Sequence, residues 1–241
     1  MPFYDLHVHT SLSIGENTVA ETVEMAKKLD LAGLGIVRYY SSGKLEEIPK
    51  SDIDLIVALI IKPTSAEELN EIVKKIRKRA EILMVHGGDY DINRAACENS
   101  MVDILCHPEL GRKDSGLDHI CIKAASENNV AIEINFREIL ESYNKHRTYN
   151  LSAMEKNIKL CKKYDANVVI TSGAVSKWGM RSGRELASIA HLLGMELGDA
   201  IAAVSTVPEE LIKTNREKLA DKRSEGVSIV DGDKHEIPRN M

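Results

Sequence analysis

Short apolar runs alternate with amphipathic segments along almost the whole chain. Seven runs have the length and β-branched content of strands, and apolar residues recur at helical spacing between most of them. The predicted strands cover residues 3–9, 34–38, 54–61, 82–85, 102–106, 130–134 and 167–171. The nearly continuous apolar run 54–61 indicates burial on both faces, which is typical of a parallel sheet. The alternation therefore predicts an α/β fold.

Helix signals fill most of the intervals between these runs. The predicted helices cover about residues 19–29, 65–76, 93–98, 117–128, 152–164, 182–193, 197–204 and 208–218. The pairs Thr18/Glu21, Ser65/Glu68 and Ser182/Glu185 have the spacing of capping boxes at the starts of three of them. The stretch between 135 and 152 passes through Tyr143, Lys145 and Arg147, and we predict a polar loop there.

Seven strand-then-helix units in 241 residues favour a (β/α) barrel over an open sheet. Polar side chains stand at or just after the carboxyl ends of six predicted strands, where a barrel has its working face. They are His7, His9, Arg38, His86, His107, Glu133, Asn135 and Ser172. We predict a single barrel domain, residues 1–221, followed by a C-terminal tail or edge segment, residues 222–241.

Composition narrows the functional classes. The formal net charge of −5 argues against a protein that coats nucleic acid by bulk electrostatics, although local basic patches remain open. An aromatic content of 4% disfavours a stacking platform for single-stranded bases. The chain has no apolar run long enough to span a bilayer and no signal-peptide pattern, so we predict a cytoplasmic protein.

The four cysteines do not have the spacing of a metal or disulfide site. They are Cys97, Cys106, Cys121 and Cys161, which lie far apart and form no C-x-x-C pair. We predict buried, reduced thiols.

The motif Asp5-Leu6-His7-Val8-His9-Thr10 lies in the first predicted strand. Strict alternation would place Asp5, His7 and His9 on one face of this strand, with Leu6 and Val8 on the other. Two imidazoles and a carboxylate in one space suit a metal ion, so the first hypothesis is a metallohydrolase.

The motifs D-L-H-V-H-T, His107-Pro108 and Glu133-Ile134-Asn135 resemble the PHP superfamily of metal-dependent phosphoesterases, which has a distorted TIM-like (β/α) barrel. The resemblance implies further metal ligands that this chain lacks. An acidic or imidazole ligand is replaced near Ile14, at Arg38 and at Gly173. Because a multinuclear site needs carboxylates to neutralise its cations, we infer that the hydrolase site is dismantled.

The departures resemble a narrower family, the PHP-barrel protein subunit of ribonuclease P, called component 3 in archaea and p30 in eukaryotes. The resemblance covers about residues 5–207 and rests on Val37-Arg38-Tyr39 and on Thr171-Ser172-Gly173-Ala174 followed by Trp178-Gly179-Met180-Arg181-Ser182. It implies a non-catalytic subunit that supports the RNA subunit in removing the 5′ leader of precursor tRNA. It also implies pairing with a small α/β (Pop5-type) protein subunit, with precursor tRNA contacted indirectly.

The candidate residues form two groups. Asp5, His7, His9, His86, His107 and Glu133 are interpreted as a relic site with a structural role, for which we expect no metal or cofactor. Arg38, Lys177, Arg181 and Arg184 are the candidate RNA-binding residues.

Structural roles remain open for Arg38 and Trp178. Arg38 suits an internal ion pair with Asp5, Glu109 or Glu133 as well as it suits RNA contact, and Trp178 is predicted to be a packing anchor. The functional alternatives are a residual metal-dependent PHP-type phosphoesterase and a scaffold that never contacts RNA.

Overall fold

The computed structural model describes residues 1–40 and 48–220, together with 223–224 and 227–228. Seven strands form one parallel sheet whose order in space is their order in the chain. They are β1 (Tyr4–His9), β2 (Gly33–Tyr39), β3 (Asp54–Ile61), β4 (Ile82–His86), β5 (Ile104–Cys106), β6 (Ala131–Asn135) and β7 (Val168–Thr171). Contacts between β1 and β7 bring the two edges together, so the sheet is a nearly closed barrel. The predicted β/α barrel is confirmed, with every strand end within two residues of its predicted place.

Nine α-helices belong to the described part of the chain. They are α1 (Val19–Lys28), α2 (Ala66–Ile76), α3 (Tyr90–Cys97), α4 (His119–Asn128), α5 (Phe136–Glu141), α6 (Asn144–Tyr164), α7 (Gly183–Leu192), α8 (Leu197–Ala202) and α9 (Thr206–Leu219). Helices α1 and α7 begin with the predicted reciprocal capping boxes. Helix α2 differs, because Ser65 caps the Glu68 N–H while the Glu68 carboxylate accepts hydrogen bonds from Thr64 instead.

The predicted polar loop between residues 135 and 152 is wrong, since this stretch is helical. Lys145 and Arg147 lie in the first turns of α6 and are exposed, so no apolar stripe marks these turns in the sequence. Local bonds hold the segment instead. The Arg147 guanidinium donates to the carbonyl oxygens of Leu140 and Ser142 and thereby ties α6 to α5.

The first strand also departs from simple alternation. Its pairing with β2 shifts register between Asp5 and Val8. Leu6 consequently joins Tyr4 in the apolar cluster inside the barrel, whereas Val8 packs outside against α1. The expectation that Leu6 and Val8 share one face is therefore wrong, and the irregularity is a local bulge of the kind often found near functional sites.

Helix α9 closes the amino-terminal end of the barrel. Its Ile212 packs into the inner cluster, and its Arg216 forms ion pairs with Asp54 at the start of β3 and with Glu81 just before β4. Because one end is plugged in this way, the opposite end, where the strands reach their carboxyl termini, is the accessible face for function.

All four cysteines are free and buried, as predicted. No helix in the described ranges is both long enough and apolar enough to cross a lipid bilayer. Residues 41–47 and most of the predicted C-terminal segment 222–241 lie outside the described residues. Within that segment β8 (Arg223–Ser224) and β9 (Val227–Ser228) pair with each other in antiparallel fashion.

Candidate functional site

The carboxyl ends of the strands bring the predicted relic residues together in what we call the mouth. It comprises Asp5, His7, His9, His86, His107 and Glu133. His86 is half-buried, and the other five are at most 2% exposed. Buried polar groups at this density must satisfy one another, because water cannot do it.

A chain of hydrogen bonds crosses the mouth from Glu133 to Ser13. Glu133 Oε1 lies 2.6 Å from His7 Nδ1, His7 Nε2 lies 3.2 Å from His9 Nε2, and His9 Nδ1 lies 3.1 Å from Ser13 Oγ. With both rings neutral, one tautomer assignment gives each bond one donor: Ser13 donates to His9, His9 to His7, and His7 to Glu133. His7 and His9 therefore use all their ring nitrogens within the mouth, whereas neither ring nitrogen of His107 meets hydrogen-bond geometry with a described residue.

Burial supports this neutral assignment. Desolvation lowers the pKa of His9 to about 2 and also lowers that of His7. Burial alone would raise the pKa of Glu133, but the pKa lies below its usual range because His7 Nδ1 and Thr171 Oγ1 both donate hydrogen bonds to Oε1, each at 2.6 Å. Glu133 is thus the anionic anchor of the chain.

His107 belongs to a second, less satisfied part of the mouth. Its Nδ1 lies 3.3 Å from a carboxylate oxygen of Glu138 and 4.0 Å from one of Glu133. Burial opposes its protonation, yet these two carboxylates raise its pKa. Neighbouring Glu109 is 1% exposed, and desolvation raises the pKa of its carboxyl to about 7.

The retained ligand types fit at most one ion. Among the described residues His7, Cys106, His107 and Glu133 place one potential ligand atom each within 4.8 Å of one another. Glu133 is the single carboxylate of this set, and its Oε1 already accepts bonds from His7 and Thr171. A hydrolytic centre of two or three ions needs bridging carboxylates, so these residues do not fit one.

Packing explains why the ligand near the end of β7 cannot return. Gly173 has a positive φ of 61°, and a Cβ there would lie 2.3–2.7 Å from the side-chain amide of Asn135. An aspartate at this position would both strain the backbone and clash with Asn135. Ile14, near the other lost ligand position, is 54% exposed.

Arg38 stands at the carboxyl end of β2, as predicted, but its side chain lies outside the mouth. Along β2, Val37 packs inside the barrel and Ile36 outside, so Arg38 projects to the outer face. There it lines a groove with Leu55 and Val57 and is 5% exposed. Its role in RNA binding stays a prediction.

The other candidate cations lie on the segment from the end of β7 to the first residues of α7, residues 172–184, which we call the rim; Arg184 is exposed there, whereas Lys177 and Arg181 are partly buried. Lys177 forms a 3.2 Å ion pair with Glu21 of α1. Arg181 donates only to the backbone carbonyls of Trp178 and Met180, and its guanidinium lies 5.0 Å from the centre of the Phe136 ring. Arg184 is exposed and has no carboxylate partner among the described residues. The rim therefore keeps two arginine charges available to a ligand.

The prediction that Trp178 is a packing anchor is wrong. Its side chain is 73% exposed, and the loop is anchored instead by buried Ala174 and Met180, which pack with the cluster around α1. A tryptophan in a sequence does not by itself distinguish the two roles, because an indole can either anchor a loop in the core or form an exposed contact surface.

Three residues that contact the mouth were not predicted from the sequence. Thr171 donates to Glu133, Tyr39 stacks on His9 with ring centres 5.8 Å apart, and Glu138 faces His107. Thr171 and Tyr39 stand at strand ends and were quoted only as family signature. Glu138 lies on α5, whose helical character the sequence did not reveal.

Comparison with known proteins adds an independent line of observation. The family model described as "RNase P subunit p30" matches residues 2–220. Ribonuclease P protein component 3 of Methanococcoides burtonii is 39% identical over 215 residues, which cover 89% of this chain and 88% of that protein. The corresponding protein of Methanosarcina barkeri is 35% identical over 234 residues, or 95% and 96% of the two chains.

A solved structure agrees with the sequence relatives. A chain in a cryo-EM structure of archaeal ribonuclease P with mature tRNA superposes with a TM-score of 0.76 at 30% identity. The match covers 95% of this chain and 99% of that chain, so the whole barrel is shared.

Proposed function

This chain belongs to the ribonuclease P subunit p30 family and is a protein subunit of that RNA–protein complex, and we propose that it works there through its exposed rim, not through the barrel mouth. In this role it supports the RNA subunit, which carries out removal of the 5′ leader from precursor tRNA. The chain itself contributes no catalytic residue.

The observation that carries the proposal is the closed hydrogen-bond chain of the mouth. Glu133, His7, His9 and Ser13 pair with one another in a buried space. A catalytic site presents such groups to a substrate, whereas the ring nitrogens of His7 and His9 and the Oε1 of Glu133 are committed to hydrogen bonds within the chain. The rim, in contrast, leaves Arg184 exposed and Arg181 partly exposed, and neither forms an ion pair with a described residue.

Membership in the family supports a proposal about the partners. A small α/β (Pop5-type) subunit is the proposed direct protein partner, and precursor tRNA is reached indirectly through the RNA subunit. Cytoplasmic location also stays part of the proposal.

Reconstitution tests this function directly. The RNA subunit and the other protein subunits are combined with and without this chain, and precursor-tRNA cleavage is measured. We expect a faster reaction with the chain, and equal rates in both samples would contradict the proposal.

The alternative, a residual PHP-type phosphoesterase, is not favoured. It requires a metal held by the mouth, and it predicts stoichiometric Zn²⁺ or Mn²⁺ together with phosphatase turnover that is lost in His9→Ala. Metal analysis of the purified chain separates the two accounts at little effort.

A further inference from the structure

We propose that Trp178 is a stacking surface for an unpaired base of RNA. The inference rests on the proposed function and specifies what the rim recognises: a single-stranded nucleotide flanked by phosphates. Trp178 is the only tryptophan of the chain, and it is 73% exposed.

The exposure of this indole is built into an ordered turn. Lys177–Gly179 forms one turn of 3₁₀-helix. The Lys177 N–H donates to Asn17 Oδ1 at 2.8 Å, and the Arg181 guanidinium donates to the carbonyl oxygens of Trp178 and Met180. The turn is thus fixed on both sides, so the ring is presented without the ordering cost that a mobile loop would add to binding.

One cation lies over the ring, and two arginines follow on the same segment. The Lys177 ammonium lies 5.6 Å from the ring centre, and Arg181 is fixed to the Trp178 carbonyl. Arg184 lies in the first turn of the capped helix α7, where backbone N–H groups also favour phosphate. An aromatic face beside cations is the pattern by which proteins bind single strands, because the base stacks while its phosphates meet the charges.

A protein partner fits these surroundings less well. Tryptophan and arginine are enriched in protein–protein interfaces, but lysine is depleted there, and the charge that lies over the ring is the ammonium of Lys177. Ile14, exposed on the adjoining loop, would suit a protein contact, so the experiment includes the protein partner as a separate arm.

The fluorescence of the full chain reports on this one side chain, since it has no second tryptophan. The protein is titrated with a short oligouridine, with an RNA duplex of equal length, and separately with the purified Pop5-type subunit. Stacking on a base predicts quenching by the single strand and little change with the duplex. A spectral shift with the protein subunit alone, or no change with any of the three, would overturn the inference.

Substitutions then distinguish stacking of a base on an aromatic ring from a general apolar contact. Trp178→Leu should weaken binding of the oligouridine between about fivefold and a hundredfold, the range expected for one stacked base. Trp178→Tyr should restore most of that loss, because it keeps a π face. Leu192→Ala is the matched control, because Leu192 is another exposed apolar side chain at 79%. Equal affinity of the Leu and Tyr variants would contradict stacking.

The reconstituted enzyme provides a final check. Trp178→Leu should raise the concentration of this chain that half-saturates the gain in precursor-tRNA cleavage, and Trp178→Tyr should bring it back. Because the wild-type chain is assayed in parallel, a gain that is insensitive to both variants overturns the stacking proposal alone. Absence of any gain with the wild type would contradict the proposed function.

Discussion

The mouth and the rim lie at the same end of the barrel but differ in how their polar side chains are used. In the mouth, ionisable side chains are buried and bond to one another, from Glu133 through His7 and His9 to Ser13. In the rim, Arg181 and Arg184 have no carboxylate partner within the described part of the chain, and Trp178 faces solvent. The comparison teaches that residues of metal-ligand type can be kept for a structural role when they form hydrogen bonds with one another. Binding of a partner can then depend on exposed residues nearby.

The largest expected effect is a loss of stability when a residue of the mouth is substituted. Glu133→Gln removes the charged acceptor shared by His7 and Thr171. Because each hydrogen bond to a charged group contributes about 1.5–3 kcal/mol, we expect a loss of about 3–5 kcal/mol in the free energy of unfolding. Urea unfolding measures it. Glu155→Gln is the control, because its pair with Lys159 is exposed and should contribute at most about 1 kcal/mol. If the two variants were equally stable, the mouth would not be a structural network.

The next effect concerns pH. The pKa of Glu109 is about 7 in the folded chain, well above the usual value of a glutamate, because its carboxyl is desolvated. The unfolded chain therefore loses this proton first as pH rises from about 4.5 to 7, and stability falls across that window. Glu109→Gln should remove the fall and be more stable above pH 7 by up to ~3 kcal/mol.

Unfolding free energies of the two forms at several pH values test this prediction. Below pH 4.5 the wild type and Glu109→Gln should be alike, since the carboxyl is then protonated in both states. A wild type whose stability is flat between pH 4.5 and 7, or a Gln variant that follows the same fall, would refute the role of Glu109.

A smaller effect, on RNA binding, should come from the rim. The double variant Arg181→Ala/Arg184→Ala should lower the salt dependence of RNA association by about two log–log units of slope and weaken binding by about tenfold or more. Filter binding at several salt concentrations measures both quantities. Lys74→Ala/Lys75→Ala is the charge-matched control, because both lysines are exposed near the end of α2, which leads to the amino end of β4 and not to the carboxyl ends of the strands. Equal slopes for the two double variants would remove the distinction between the rim and any basic surface.

The smallest effect is expected at Lys177. Its charge is already paired with Glu21, and such exposed pairs contribute about 0–1 kcal/mol. Lys177→Met keeps the aliphatic stem and should change the salt slope less than Arg184→Ala does. An effect as large as that of Arg184→Ala would show that the ion pair opens on binding.

The sequence predicted the barrel well because its signals are local. Apolar runs such as 54–61 and capping pairs such as Ser182/Glu185 act within a few residues, and the structure keeps them. The polar first turns of α6 had no such signal, since their side chains are exposed and bond only locally, as Arg147 does.

The site was predictable in its residues but not in its geometry. His7, His107 and Glu133 meet as expected because the ends of parallel strands converge. The outward direction of Arg38 depends on the phase of β2, and the tight fit of Gly173 against Asn135 depends on contacts across the barrel. Neither can be obtained from spacing along the chain.

One comparison tests the central claim most directly, namely reconstituted precursor-tRNA cleavage with a mouth variant and a rim variant side by side. His9→Gln removes an imidazole from the mouth, and Arg181→Ala/Arg184→Ala removes two charges from the rim. With folded protein in both samples, the account predicts a near wild-type gain for His9→Gln and a strongly reduced gain for the rim variant. Loss of the gain with His9→Gln and a normal gain with the rim variant would contradict it.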